Sequence, residues 1–123
     1  MKISKAELIL RIGIFGTFLG HGIFAIGVKE AWLKYLNFVG FTESAPLILQ
    51  LIGYIDVIVA LFALFLPLNM ILIWATIWAF ATALIRPLTG EPIWDFVERT
   101  SNWAAPLALY LLRNFKNKAI LRK

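Results

Sequence analysis

Hydrophobic residues occur along this chain in four long stretches, separated by short polar or proline-containing segments. The stretches cover residues 8–28, 46–66, 70–85 and 96–112. Their apolar residues run continuously instead of alternating, and about 20 such residues cross the hydrocarbon of a bilayer as an α-helix. The pattern predicts an all-α fold, an integral membrane bundle of four transmembrane helices with short loops. Residues 1–123 are expected to form this single domain.

The connections between the predicted spans carry their own signals. Pro67 and Asn69 predict a tight turn, and the run at 86–92, with its two prolines, predicts that the third helix ends at Ile85. The longest connection, residues 29–45, has apolar residues at helical spacing: Trp32, Tyr35, Leu36 and Val39. This spacing favours either a short amphipathic helix at the membrane surface or an ordinary structured loop.

Composition strengthens the membrane interpretation. The chain is 61% hydrophobic and 15% charged, and its mean hydropathy is +0.82. A soluble domain is about 45–50% apolar and about 25% charged. Cysteine is absent, which excludes thiolate nucleophiles, disulfide exchange and cysteine-bound metal clusters.

The distribution of lysine and arginine predicts the orientation of the bundle. The end that holds both termini carries eight cations: Lys2, Lys5, Arg11, Arg113, Lys116, Lys118, Arg122 and Lys123. The opposite end carries four cations and five acids: Lys29, Lys34, Arg86, Arg99, Glu30, Glu43, Glu91, Asp95 and Glu98. We therefore expect a multi-pass protein of the cell (inner) membrane with both termini in the cytoplasm. The net charge of +5 is assigned to topology, so nucleic acid is not an expected partner.

Ionisable and amide side chains interrupt the apolar stretches. A charged side chain at the centre of a span costs roughly 2.5–3.5 kcal/mol on insertion scales, so such groups are expected to face a partner or a cavity. Given the predicted spans, His21 and Asp56 differ in depth by about one helical turn. We therefore expect a polar cluster, and a candidate ligand-binding site, in the outer half of the bundle: His21, Asp56, Arg86, Glu98, Arg99 and Asn102.

Two other interpretations of these charges remain open. Arg86 and either Glu98 or Asp95 would form an ion pair that only joins two helices, or the charged groups would share no pocket.

Trp74 and Trp78, one helical turn apart, are the expected wall of a pocket. Two stripes of small residues are expected to pack helices within the chain or between copies of it: Gly13, Gly16 and Gly20, and Ala75, Ala79 and Ala83.

The sequence predicts no metal site, and it leaves the catalytic residues unknown. One histidine cannot ligate haem from both sides, and without cysteine neither covalent haem nor an iron–sulfur cluster is expected. The cofactor therefore stays open, with quinone as one candidate.

Several of these residues also resemble a known family. The segment Gly20-His21-Gly22, Asp56 and the stretch from Arg86 to Arg99, followed by Asn102 and Pro106, resemble DoxX-like membrane proteins. The resemblance extends over about the whole chain in length and number of spans. It implies a four-helix transmembrane bundle, in a family whose named members are associated with quinol oxidase or thiosulfate:quinone oxidoreductase complexes. It also implies a role for the six candidate site residues.

The leading functional hypothesis is a membrane subunit or small-molecule-binding bundle without catalytic activity of its own, whose pocket holds a quinone-like or other amphipathic ligand. One alternative is an oxidoreductase component that passes electrons or protons to quinone, which requires a bound cofactor. Another is a proton or small-solute transporter that uses His21 and Asp56 and acts as an oligomer. Expected partners are the lipid bilayer, other membrane or redox subunits, and further copies of the chain.

Overall fold

The computed structural model describes residues 3–121, and within this range the chain forms helices and no β-strand. The long helices are α1 (Lys5–Ile26), α3 (Ala45–Phe65), α4 (Asn69–Leu88) and α6 (Thr100–Leu121), and the short ones are a 3₁₀ turn (Glu30–Trp32), α2 (Leu33–Phe38) and α5 (Ile93–Val97). Side chains are described up to residue 115. The all-α prediction is confirmed, and α1, α3 and α4 are long and apolar enough to cross a membrane.

The third and fourth predicted spans have different boundaries in the structure. Helix α4 continues past Ile85 through Pro87, because a proline in the last turn removes only one helical hydrogen bond. The amide of Thr89 still donates to the carbonyl of Ile85 at 3.1 Å. The predicted span 96–112 is divided into α5 and α6, and the break falls at residues 98–99.

Helix α6 is less apolar than α1, α3 and α4, and by length and composition it is not among the helices that could cross a membrane. Its apolar centre is followed by Arg113 and Asn114 and then by Lys116 and Lys118, which lower its mean hydropathy. Residues 1–2 and 122–123 lie outside the described residues. Three of the cations used to predict the orientation are therefore outside the description: Lys2, Arg122 and Lys123. The side chains of Lys116 and Lys118 are likewise outside the description.

Helices α1 and α3 pack through two glycines. A Cβ atom at Gly53 would lie 2.7 Å from the carbonyl oxygen of Gly22 and 2.7 Å from the amide nitrogen of Ile26. Only hydrogen fits there, so the two backbones approach closely, as small residues permit in membrane helices.

The glycine stripe expected to pack helices within the chain does not do so. A Cβ atom at Gly13, Gly16 or Gly20 would meet nothing within 4 Å. The buried face of α1 is displaced from this stripe and contains Ile14, Phe18, Gly22 and Ala25. Packing of this stripe within the chain was therefore a wrong prediction, and packing between copies of the chain stays a prediction.

The alanine stripe of α4, in contrast, packs within the chain as predicted. Ala75, Ala79 and Ala83 are all buried. Helix α4 packs mainly on α6, α1 packs mainly on α3, and contacts between α1 and α6 join the two pairs. A core that includes Ile14, Leu72 and Leu109 fills the half of the molecule nearer the termini.

Candidate functional site

The half of the molecule away from the termini contains a cavity of about 360 Å³. Helices α1, α3 and α4 contribute most of its lining, and the segment from Trp32 to Phe41 closes part of its mouth. The lining is mainly apolar, with side chains such as Phe18, Leu49 and Ile52. Four of the six predicted site residues also line it: His21, Asp56, Arg86 and Arg99.

Helix packing places His21 and Asp56 at the same level of the cavity. Gly22, next to His21, faces Gly53 and Val57, which lie on either side of Asp56 along α3. Trp78 of α4 belongs to this level too, because it lies ten residues after Leu68 while Asp56 lies ten residues before Leu66, and the turn at 66–68 joins the two helices. Asp56 and Trp78 form the floor of the cavity, and the His21 ring extends from this level toward Trp32.

Asp56 is the most deeply buried ionisable residue of the cavity, at 4% exposure. Its carboxyl group interacts with the Trp78 side chain, and its Oδ1 atom is buried without a hydrogen-bond partner among the described residues. An unpaired buried acceptor of this kind costs about 1–3 kcal/mol. Stability alone therefore does not account for Asp56 at this position.

His21 contacts Trp32, which belongs to the segment that closes part of the cavity mouth. The two rings pack edge to face with their centroids 5.6 Å apart. No hydrogen bond joins His21 to Asp56 or to any other side chain in the part of the chain whose side chains are described. The charged groups that act on the imidazole are all cations: Arg86, Arg99 and Lys29.

A polar network at the mouth joins α4 to the segment between α1 and α3. Arg86 donates from Nη1 to the Tyr35 hydroxyl oxygen at 3.0 Å, and Tyr35 donates to a carboxylate oxygen of Glu91 at 2.7 Å. Lys34 lies 3.3 Å from the same carboxylate. We call Arg86, Tyr35, Glu91 and Lys34 the mouth network.

The mouth network determines the ionisation of its tyrosine and its glutamate. Burial, together with the hydrogen bond to Glu91, raises the pKa of Tyr35 to about 12. Burial alone would raise the pKa of Glu91 too, but the hydrogen bonds from Tyr35 and Lys34 and the positive charge of Lys34 lower it. Tyr35 is therefore neutral and Glu91 ionised near neutral pH.

Tyr35 and Glu91 were not predicted from sequence to belong to the site. They are 56 residues apart, one in α2 and the other in the loop after α4, and no periodicity connects residues at that distance. The only available signal was the aromatic residue in the helical pattern of residues 29–45.

The remaining predicted residues lie elsewhere. Glu98 is exposed and accepts from Arg99 at 2.6 Å, so the expected pair between Arg86 and Glu98 is not formed. The reason is local: Glu98 and Arg99 are neighbours at the break before α6. Asn102 does not line the cavity. Trp74 stacks on Trp78 at 5.5 Å, but only Trp78 reaches the cavity.

A second polar cluster lies at the opposite end of the molecule. Glu7 Oε2 accepts from Arg11 at 2.7 Å and from Arg113 at 3.0 Å, and Arg11 also donates to the carbonyl oxygen of Leu64 at 3.3 Å. We call Glu7, Arg11 and Arg113 the terminal cluster; it joins α1, α3 and α6. The partners were missed from sequence, although Glu7 and Arg11 have the i, i+4 spacing of a helical ion pair.

No group of three or more His, Cys, Asp or Glu side chains among the described residues is arranged to hold a metal ion. The arrangement offers hydrogen bonds and positive charge to a ligand at the mouth, and one carboxyl group at the floor.

No family model matches the sequence, and no curated protein and no solved structure matches it either. The resemblance to DoxX-like proteins therefore stays a prediction that rests on the residues that carry it.

Proposed function

We propose that this chain is an integral membrane protein in which α1, α3, α4 and α6 cross the bilayer as a four-helix bundle, and that its cavity binds a small amphipathic molecule. It would act as a binding protein or as the ligand-holding subunit of a membrane complex. Quinone-like molecules are one class that would fit. The observation that carries the proposal is a cavity of about 360 Å³ whose lining is apolar except for a few polar side chains, among them Asp56 with an unpartnered oxygen.

Both the size and the lining support this function. Ligand pockets enclose about 300–1,000 Å³ and combine apolar walls with a small number of polar groups that orient the ligand. His21 and Arg86 would donate to an acceptor of the ligand, Asp56 would meet its other end, and Trp32 and Trp78 would enclose its apolar body. Glu98, which the structure places on the surface, has no part in this arrangement.

The exposed surfaces of three helices support the proposal that the chain lies in the bilayer. Large apolar side chains on α1, α3 and α4 are exposed along the whole length of these helices, including Ile12, Ile23, Leu51, Ile58, Ile73 and Ile77. An aqueous protein would expose such a surface only for a partner, whereas lipid tails cover it without cost.

The binding proposal is tested by mass spectrometry of what copurifies with the protein, and by tryptophan fluorescence during titration with decylubiquinone, because Trp32 and Trp78 line the cavity. Asp56→Asn and His21→Ala are expected to weaken quenching and to retain less native ligand. Glu98→Gln is the matched control, since its carboxylate is outside the cavity. Equal quenching in all four proteins would contradict the proposal, and visible absorbance of the purified protein would favour the oxidoreductase alternative.

The proposed orientation places the cavity mouth on the outer side of the cell membrane and both termini in the cytoplasm. Gly90→Cys, beside the mouth, is expected to react with an impermeant thiol reagent in intact cells, and Lys5→Cys is expected to react only after lysis. The chain has no cysteine of its own to interfere. The opposite labelling pattern would reverse the orientation.

A further inference from the structure

Arg86 differs from the other arginines whose side chains the structure describes. Arg11, Arg99 and Arg113 lie 2.7, 2.6 and 3.0 Å from a carboxylate oxygen. Arg86 has no carboxylate within ion-pair distance among the described residues, and its Nε atom is buried without a hydrogen-bond partner. A partly buried cation without a counterion is unfavourable, because the lost hydration is not replaced.

The mouth network places no carboxylate in contact with Arg86. Tyr35 accepts from Arg86 as a neutral phenol, since the pKa of its hydroxyl is raised to about 12. The carboxylate of Glu91 contacts the Tyr35 hydroxyl and Lys34, and the charge of Arg86 acts on it only across the Tyr35 hydroxyl. An anion in direct contact with Arg86 is therefore missing from the network.

The charges around the mouth are mainly positive. Arg86, Arg99 and Lys29 all act on His21. Of the charged groups named here at the mouth, four are cations and two are acids: Arg86, Arg99, Lys29 and Lys34, against Glu91 and Glu98. Asp56 lies on the level of Trp78, eight residues from Arg86 along α4, which is about 12 Å deeper at the helical rise per residue.

We propose that the ligand carries an anionic headgroup, a carboxylate or a phosphate, that binds Arg86 beside His21 and Arg99, while its apolar body enters the cavity. This inference rests on the proposed function and narrows its ligand class from neutral quinone-like molecules to anions. Nη1 donates to Tyr35 and Nε is enclosed by protein, so Nη2 is the donor left for a ligand in the cavity. A guanidinium N–H forms a charge-assisted hydrogen bond with a carboxylate or phosphate oxygen, which is stronger than its bond to a neutral acceptor. A neutral carbonyl would leave Arg86 without an anion in contact.

The test compares two probes of the same shape, 4-butylbenzoate and its neutral amide 4-butylbenzamide, by calorimetric titration of the full chain in nanodiscs of zwitterionic lipid. We expect the benzoate to bind about tenfold more tightly or better, a difference of about 1.4 kcal/mol, because a charge-assisted hydrogen bond is stronger than one to a neutral amide. Arg86→Gln should abolish this preference, and Arg86→Lys, which keeps the positive charge, should retain part of it. Arg113→Gln removes an arginine at the opposite end and should preserve it.

The outcomes separate this inference from the function on which it rests. Equal binding of the two probes, or an unchanged preference in Arg86→Gln, would overturn the anionic headgroup and leave the cavity as a site for neutral molecules. Failure of both probes and of decylubiquinone to bind would overturn the binding function and the headgroup together. Repeating the titration in nanodiscs with phosphatidylglycerol distinguishes the sources of the anion: competition by this lipid indicates a lipid headgroup, and its absence indicates a water-borne anion.

Discussion

The two ends of this molecule treat buried charge in opposite ways. In the terminal cluster one carboxylate oxygen of Glu7 accepts from both Arg11 and Arg113, and Arg11 also reaches a backbone carbonyl of α3. In the cavity, Asp56 Oδ1 and Arg86 Nε are buried without partners. The first arrangement joins three helices through paired charges. The second leaves one acceptor and one donor unsatisfied.

Buried charged groups therefore have two different consequences in this chain. The paired charges of the terminal cluster contribute to the fold, because removing one residue of the cluster leaves its partner charge unpaired in an apolar environment. Unsatisfied charge at the cavity end lowers stability, and the proposed ligand would account for its presence. Four substitutions test this contrast.

The largest effect is expected for Glu7→Gln. The change leaves Arg11, which is 8% exposed, without its carboxylate, and breaking a buried pair costs about 3–5 kcal/mol. The unfolding temperature in detergent should fall sharply. Glu98→Gln, which removes the partner of a pair exposed at the surface, serves as control and should change it little. Equal shifts in the two variants would mean that the terminal cluster is not structural.

A smaller loss is expected for Gly53→Ala. The added methyl would lie 2.7 Å from backbone atoms of α1, which cannot move without separating the helices, and overpacking of this kind costs about 1–3 kcal/mol. Gly16→Ala places the same methyl in open space and should leave the unfolding temperature unchanged or raise it. If both variants unfold at the same temperature, α1 and α3 do not pack as described.

Asp56→Asn provides the sharpest comparison with Glu7→Gln, because both convert a buried carboxyl group into an amide. The free energy of unfolding is expected to change by no more than about 1 kcal/mol in either direction, since the substitution removes an oxygen that had no partner. Retention of the copurifying ligand should fall while the unfolding temperature is kept. A loss of stability as large as that of Glu7→Gln would show that Asp56 is a structural group and not part of the site.

The smallest effect is expected for Tyr35→Phe and depends on pH. The pKa of Glu91 is lowered in the folded chain, so its contribution to stability is complete above its ordinary value of 4.5 and is lost as the pH falls through the lower folded value. Without the Tyr35 hydroxyl this acid-induced loss should become smaller. Unfolding temperatures of the two proteins between roughly pH 6 and pH 3 measure the difference. Identical profiles would remove Tyr35 from the mouth network.

Part of this picture was accessible from local sequence. The first three apolar stretches each became one helix and the fourth was divided between α5 and α6, while the helix predicted in residues 29–45 as one of two alternatives was found as α2. Ser4 and Glu7 have the spacing of a capping box, and the amide of Glu7 donates to the Ser4 hydroxyl at 3.1 Å. Such features depend on residues within a turn or two of each other, which is why a pattern can predict them.

The candidate site was accessible only in part. The cost of charge in hydrocarbon identified His21, Asp56, Arg86 and Arg99, which line one cavity. The same argument also selected Glu98 and Asn102, because it measures how polar a residue is and not which way its helix turns it. Tyr35 and Glu91 were missed because they lie in the connections between the predicted spans. A polar side chain there does not have to enter hydrocarbon, so it carries no cost that would single it out.

The sequence by itself determined that the described chain is helical, which segments form its long helices, and that charged groups interrupt them, because hydrophobic length and local hydrogen bonding act along the chain. Tertiary structure alone decided that Gly22 and Gly53, not the glycine stripe, bring α1 and α3 together. That contact places His21 on the level of Asp56. The reason is physical: the rotation and register of one helix against another are decided by packing between residues far apart in sequence, and no pattern within a single helix records them.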